Sequence, residues 1–199
     1  MKTIAAIPCY NERIPIGYVV LIARKHVDEV LVVDDGSTDG TVEVATAAGA
    51  AVVSHGVNKG YGAAIRTCFN YARENNFDVM ITLDGDGQHD PSYIPEFIRA
   101  LRTNGADVVI GSRFLEKNKI KPKWRIVGMK VLNLFTRLHG IKTTDSQSGY
   151  RAYSRRAIEK IKSVVDTDYR IRKKEYESLY TDKAIYYKYI VAIKHREKE

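Results

Sequence analysis

The 199-residue chain has two cysteines, one tryptophan, five prolines and no long apolar run. Cys9 and Cys68 show no metal-ligand spacing and are too few for a disulfide framework, so a reduced, cytoplasmic setting is expected. No apolar stretch reaches the ~20 residues that cross a bilayer. The start, Thr3-Ile4-Ala5-Ala6-Ile7, reads as a strand and not as a charged-then-apolar leader, so no export is expected. A Walker-type phosphate loop is missing, as is a Gly-x-Gly-x-x-Gly fingerprint after the first strand, which argues against P-loop and nicotinamide-binding readings. There is no internal repeat and no low-complexity linker.

What is present fits one soluble globular domain over residues 1–199, with 44% hydrophobic and 28% charged residues. The net charge of +8 is unevenly spread. Residues 1–112 carry 9 Lys and Arg against 14 Asp and Glu, a net −5, whereas residues 113–162 carry 14 against 3, a net +11. Such asymmetry suits a negatively charged partner approached from one side: nucleic acid, an anionic membrane or a phosphorylated substrate. A solvated basic face gives the same count.

Short β-branched runs alternate with helical patterns. Strands are expected at Thr3–Ile7, Glu29–Val33, Ala51–Ser54, Asp78–Leu83 and Asp107–Gly111, with helices near Ile14–Lys25, Thr41–Ala48, Gly62–Glu74 and Tyr93–Thr103. This alternation predicts an α/β fold, a three-layer sandwich with a mostly parallel central sheet. Asp90 and Pro91 form a helix-start pair, cap then first residue. Near residue 112 the alternation stops. A longer helix is expected over Pro122–His139, entered through Lys117, Lys119, Lys121, Lys123 and Arg125, and the tail ends in a strand-like run, Tyr189–Ile193.

Ligands of such sheets bind at the carboxyl ends of the strands. Three polar clusters fall there: Pro8-Cys9-Tyr10-Asn11-Glu12, Asp34-Asp35-Gly36-Ser37-Thr38-Asp39, and Asp84-Gly85-Asp86-Gly87-Gln88-His89-Asp90. Carboxylates gathered on one edge repel one another unless a cation or hydrogen-bond donors share the site. A hard divalent ion with a diphosphate answers this, because Mg²⁺ takes one or two carboxylates plus phosphate oxygens and Mn²⁺ accepts similar ligands. Each cluster also has a plainer reading. The second fits an ordinary turn with Asp39 as a helix cap. The third resembles part of a calcium loop, although the glutamate such a loop needs at its twelfth position is missing.

The clusters gain meaning from their order. Together with His55, Asn58-Lys59-Gly60-Tyr61-Gly62, Gly111-Ser112-Arg113-Phe114 and Asp145-Ser146-Gln147-Ser148-Gly149-Tyr150-Arg151, they make residues 3–155 resemble glycosyltransferase family 2 with its GT-A fold, nearest the dolichol-phosphate mannosyltransferase-like, polyprenyl-phosphate branch. The resemblance implies that Pro8, Tyr10 and Glu12 line a nucleotide-sugar pocket and that Val33 and Asp35 meet the nucleoside. It further implies that Asp84 and Gly85 lie near ribose and sugar, that Asp86 binds Mg²⁺ or Mn²⁺ with Gln88 as partner, and that Arg113 faces phosphate. Asp86 and Arg113 are then the catalytic pair. Ser148 and Arg151 fall on the acceptor side. Residues 1–112 become the nucleotide-sugar and metal half, and residues 113–199 the acceptor half with a divergent tail.

The implied reaction is an inverting, metal-dependent transfer of a hexose from a nucleotide diphosphate sugar, of GDP-mannose or UDP-glucose type, to a polyprenyl or dolichyl phosphate. Asp145 is the only carboxylate between Glu116 and Glu159. That scarcity of a general base favours an acceptor that is already an anion. The alternatives are transfer to a saccharide or protein hydroxyl, or a degenerate module that only binds nucleotide sugar. Nucleic acid is not expected, since clustered carboxylates give it nothing to hold. Lys117–Arg125 with Trp124 suits an anionic membrane surface and equally the rim of a core helix. Membrane contact is therefore expected to be peripheral, on the cytoplasmic face, or through a membrane-protein partner. The tail departs from the family pattern: Arg170, Arg172 and Lys173 replace acidic positions, and Ile190–Arg196, including His195, stands for a strand remnant.

Overall fold

A computed structural model describes residues 1–111, 148–161, 184–187 and 190–193. The helix expected over 122–139, its basic entry Lys117–Arg125, Asp145, Arg170, Arg172, Lys173 and His195 lie outside the described residues.

β1 (Thr3–Cys9) is buried along its whole length. It is flanked by α1 (Arg13–Ala23), β2 (Glu29–Asp34), α2 (Thr41–Ala47), β3 (Ala51–Ser54), α3 (Tyr61–Glu74) and β4 (Val79–Thr82). A 3₁₀ turn (Pro91–Tyr93) then leads into α4 (Ile94–Asn104) and β5 (Val108–Gly111). Every expected element of the first half is present within about two residues. The turn starts as the Asp90-Pro91 pair predicts, with the Asp90 carboxylate accepting from the Ser92 N–H at 2.9 Å.

Two apolar layers sandwich the sheet, and strand alternation divides them. Ala5, Ile7 and Cys9 of β1, with Val30 and Val32 of β2, face α1, α2 and α4. Ile4 and Ala6, with Leu31 and Val33, face α3. Both faces of the sheet are covered, which is why the strands read as continuous apolar runs.

The sheet order is β3-β2-β1-β4-β6-β5-β8-β7, where β6 is Arg151–Ser154, β7 Ala184–Tyr187 and β8 Ile190–Ile193. β3, β2, β1 and β4 are parallel neighbours. β6 and β8 run against the common direction of the other six strands. The mostly parallel three-layer α/β sandwich expected from the sequence is the fold observed.

The sequence pattern did not predict β6. It inserts between β4 and β5, pairing Thr82 with Arg151 and Val79 with Ser154. Its reversed direction decides the position of the site: the residues that enter β6 lie beside the carboxyl end of β4. A helical turn, α5 (Arg155–Lys160), follows directly, capped by the Ser154 hydroxyl, which accepts from the Ala157 N–H. Buried Asp107 fixes this corner, taking Arg156 Nε and Nη2 at 2.8 Å each and the Ser154 hydroxyl at 2.9 Å.

Candidate functional site

β1 ends at Cys9, and β4 ends just before Leu83-Asp84. Between these two carboxyl ends lies a cleft of about 260 Å³, lined by Pro8, Cys9, Tyr10, Glu12, Tyr61, Ala64, Asp84, Gly85 and Asp86. Six of the residues singled out in the sequence, Pro8, Tyr10, Glu12, Asp84, Gly85 and Asp86, thus share one wall system although they lie more than 70 positions apart. Cys9, Tyr61 and Ala64 were not singled out. Tyr61 had a signal, since it sits in the Asn58–Gly62 motif, but no chemistry in its neighbours pointed to a role.

The cleft is negatively charged. Burial, then the charges of Asp86, Asp39 and Asp84, push the Glu12 carboxyl above its ordinary value of 4.5. A carboxyl raised on folding binds a proton more readily in the folded chain. Stability is therefore lost as pH rises through the range just above 4.5. Glu12→Gln should raise the melting temperature of the ligand-free protein at pH 7, and the gain should vanish at about pH 4, in thermal melts across pH. A gain that is equal at both pH values would mean that charge repulsion is not its source.

Cys9 also borders the cleft. Burial, then Asp34 and Glu12, push its thiol up to about 12, so it stays protonated and is no nucleophile.

The three carboxylate clusters have separate duties. In the second, Asp34 accepts from the Ser37 N–H and from the Ser54 hydroxyl at 2.8 Å. Asp39 accepts from the Arg13 and Thr41 N–H groups. The Asn11 N–H donates to the Ser37 hydroxyl, and the Thr38 N–H donates to the Asn11 side chain. These bonds lace the first two motifs together and use Asp34 and Asp39 as turn-formers, as the plainer reading has it, although the cap of α2 falls on Gly40 and not on Asp39. Asp35, 4% exposed, is held by His55 Nδ1 at 2.7 Å and by the N–H groups of Lys59 (3.0 Å) and Gly60 (2.7 Å). Burial works against its ionisation, but these donors outweigh it and hold the carboxyl below its ordinary range. Val33 is fully buried in the sheet core, which leaves only its main chain to meet a ligand.

In the third cluster the Gln88 N–H donates to Asp86 Oδ1 at 2.9 Å. Gln88 touches Asp86 through its main chain, while its exposed side chain is not part of the cleft lining. His89 Nδ1 lies 3.4 Å from Asp84 Oδ2.

The loop before β6 closes against this cluster. Thr82 donates its hydroxyl to the Gly149 carbonyl at 2.9 Å, and Tyr150 donates its hydroxyl to the Asp90 carbonyl at 3.1 Å. The Tyr150 ring stacks on Phe97 with centroids 4.2 Å apart. Gly149 lies so close to Asp84 that a β-carbon on it would sit 2.7 Å from both carboxylate oxygens. Ser148 is buried, its hydroxyl accepting from the Tyr150 N–H and its carbonyl from Arg151 Nε. The Ser148–Arg151 motif is thereby brought to the edge that holds Asp84. Arg113 lies outside the described residues.

Among the described residues no three His, Cys, Asp or Glu side chains gather to hold a metal ion by themselves. This agrees with the chemistry of the donors present, because a hard divalent cation needs only one or two carboxylates when diphosphate oxygens complete its shell. Asp84 and Asp86 are the two carboxylates of the third cluster that border the cleft, and after burial the charges of Asp86, Asp39 and Asp84 raise the Glu12 carboxyl.

The sequence profile of Glycosyl transferase family 2 matches residues 4–162. The chain is 36% identical over 180 residues to polyprenol monophosphomannose synthase of Mycolicibacterium smegmatis, covering 83% of this chain and 67% of the relative. It is 32% identical over 193 residues to UDP-N-acetylglucosamine–dolichyl-phosphate N-acetylglucosaminyltransferase of Methanococcus voltae, covering 86% and 74%. Its fold is similar to that of glucosyl-3-phosphoglycerate synthase from Mycobacterium tuberculosis, solved with Mn²⁺, uridine diphosphate and glucosyl-3-phosphoglycerate. That likeness has a TM-score of 0.62 at 26% identity, over 78% of this chain and 57% of that one. The same synthase has been solved with Mg²⁺ and uridine diphosphate. The chain spans about two thirds of the length of these curated relatives and just over half of the solved structure.

Proposed function

The chain belongs to glycosyl transferase family 2, and on that premise we propose that it is an inverting, metal-dependent hexosyltransferase using a nucleotide diphosphate sugar and a polyprenyl phosphate. The observation that carries this reading is the cleft in which Asp84, Gly85 and Asp86 meet Pro8, Tyr10 and Glu12. The names of the two curated relatives support the lipid-phosphate acceptor, and the uridine diphosphate complexes of the solved neighbour support the donor.

In this reading Asp86, with Asp84 beside it, holds Mg²⁺ or Mn²⁺. The cation supplies charge neutralisation at the departing diphosphate. The Gln88 N–H fixes the Asp86 carboxylate, and the Gly149 approach fixes Asp84. Pro8, Tyr10 and Tyr61 provide walls for the donor. Arg151 lies on the acceptor side, and the phosphate-facing role that the family resemblance implies for Arg113 falls on a residue outside the described ones. The acceptor phosphate oxygen attacks the anomeric carbon, the bond to the diphosphate oxygen breaks, and nucleoside diphosphate leaves with the electron pair. The attacking oxygen is already anionic, so no general base is required. Among the described residues no helix is long and apolar enough to cross a membrane. The acceptor phosphate is met at a membrane surface, a placement supported by the polyprenol and dolichyl-phosphate names of the relatives, or through a membrane-protein partner.

A thermal-shift panel of GDP-mannose, UDP-glucose and UDP-N-acetylglucosamine tests the donor side. At about 100 times Kd one donor should raise the melting temperature by ~5 °C or more, and only with Mg²⁺ or Mn²⁺ present. The stabilising donor, labelled in its sugar, should then transfer label to polyprenyl phosphate and not to saccharide acceptors offered in parallel. Transfer to a hydroxyl would replace the acceptor assignment. Donor binding without transfer to any acceptor would favour a non-catalytic binding module.

A further inference from the structure

α1 is apolar on two opposite faces. Ile16, Val19, Val20 and Ala23 are buried against the sheet. On the far side Ile14 is 94% exposed, Tyr18 55% and Leu21 53%. These three stand at i, i+4 and i+7 and so form one stripe along the helix. A surface helix ordinarily turns polar side chains outward. α2 and α4 do so, with exposed Glu43 and Thr46 on the one and Arg99 and Arg102 on the other.

The charge around the stripe has one sign. Residues 13–27 include Arg13, Arg24 and Lys25, all exposed, and no Asp or Glu, although residues 1–112 carry 14 acidic side chains. Lys25 lies three turns after Ile14 and continues the stripe. Arg13 and Arg24 flank it on the side of α2: Arg13 Cδ would lie 3.5 Å from a β-carbon on Gly40, and Arg24 donates to the Ala48 carbonyl at 3.0 Å.

A second copy of the chain fits this face poorly. Two paired stripes would set these cations against each other with no acid on the helix to meet them. Three side chains on an 11-residue helix also fall far short of the ~800 Å² per partner of a stable interface. An anionic bilayer meets each feature: Ile14 and Leu21 enter the acyl boundary, Tyr18 sits at headgroup level, and the cations meet lipid phosphates. The stripe also begins at the cleft. Glu12 lines the cleft and α1 starts at the next residue, while a β-carbon on Gly87 of the third cluster would lie 3.3 Å from Pro15.

We propose that the outer face of α1, formed by Ile14, Tyr18, Leu21 and Lys25, docks on an anionic phospholipid surface. This deepens the polyprenyl-phosphate reading above and rests on it for the choice of a bilayer over a protein. Docked in this way, the protein carries its cleft to the surface where a lipid phosphate is presented.

The test is flotation of the full chain, without nucleotide, on phosphatidylcholine vesicles with and without about a third phosphatidylglycerol. The wild type should bind the anionic vesicles at least tenfold more strongly than the neutral ones. Ile14→Ser with Leu21→Ser should weaken that binding tenfold or more, because two apolar side chains no longer enter the lipid. Lys25→Gln should weaken it about fivefold on anionic vesicles and leave neutral ones unchanged. The double variant should melt within about 2 °C of wild type, since both side chains are exposed. If it does not fold, Tyr18→Ser decides, with an expected loss of at least threefold. Its transfer to polyprenyl phosphate embedded in vesicles should fall in step with binding, while transfer to a short-chain, water-soluble polyprenyl phosphate stays at the wild-type rate. No vesicle binding by the wild type, equal binding to both compositions, or undiminished binding by the variants overturns the proposal. So does a wild-type dimer in light scattering that the double variant converts to monomer, which would assign the face to a second copy. Variant-sensitive binding to anionic vesicles without transfer to any polyprenyl phosphate would uphold the docking face and remove the acceptor reading alone.

Discussion

Asp86→Asn should lower kcat/KM for sugar transfer by about a thousandfold while the protein folds as before. The substitution keeps the side-chain oxygen that accepts from the Gln88 N–H, so the local turn survives. What it removes is one full negative charge from the cleft wall. A cation at a developing diphosphate is worth several kcal/mol of transition-state stabilisation, and each 1.36 kcal/mol is a factor of ten. Folding stability should hold or rise slightly, because Asp86 is the leading charged neighbour that raises the Glu12 carboxyl. Two measurements separate the readings. The steady-state rate should stay low at saturating Mg²⁺ or Mn²⁺, and the metal-dependent part of the donor thermal shift should disappear. Normal turnover in the variant with metal present would remove Asp86 from the metal site.

The contrast between Asp86 and the other acidic residues shows what a sequence pattern conveys. The parallel half of the fold was legible because both faces of its strands are covered, so Thr3–Cys9 and Glu29–Asp34 read as apolar runs between helical patterns. β6 was not legible. Arg151-Ala152-Tyr153-Ser154 has four residues and buries only its middle two, so its strand state comes from the partners β4 and β5 on either side. The cleft was legible in part. Motif order placed Glu12 and Asp86 together, because strand ends β1 and β4 are sheet neighbours. It could not separate Asp34 and Asp39, used by nearby N–H and hydroxyl groups, from carboxylates that face the cleft. Nor could it show that Val33 turns its side chain into the core or that the Ser148 hydroxyl is spent on its own loop. Those outcomes depend on which face of a strand or turn is covered, and that is decided by packing across the sheet.

The reversed β6 strand leads to the second large effect: Gly149→Ala should reduce transfer about a hundredfold with little loss of stability. The added β-carbon would lie 2.7 Å from both Asp84 oxygens, closer than real contacts allow, so something must move. The Gly149 main chain is held by the Thr82 hydroxyl at its carbonyl, and the neighbouring Tyr150 is anchored by Asp90 and Phe97. The Asp84 carboxylate is the end of a 35% exposed side chain and is the easier group to displace. Rotating it away gives up its contact with His89 Nδ1 but leaves the apolar core in place, so the melting temperature should fall by only a few degrees. It moves the carboxylate by about 1 Å or more from its place on the cleft wall, and misplacement on that scale costs roughly a hundredfold in rate. A double-mutant cycle isolates the cause. Asp84→Ala alone should lower activity strongly, and adding Gly149→Ala should lower it no further, because the collision it creates no longer has a partner. Additive losses would mean that Gly149 acts through some other contact, and the close approach of the β6 loop to Asp84 would then be packing without catalytic consequence.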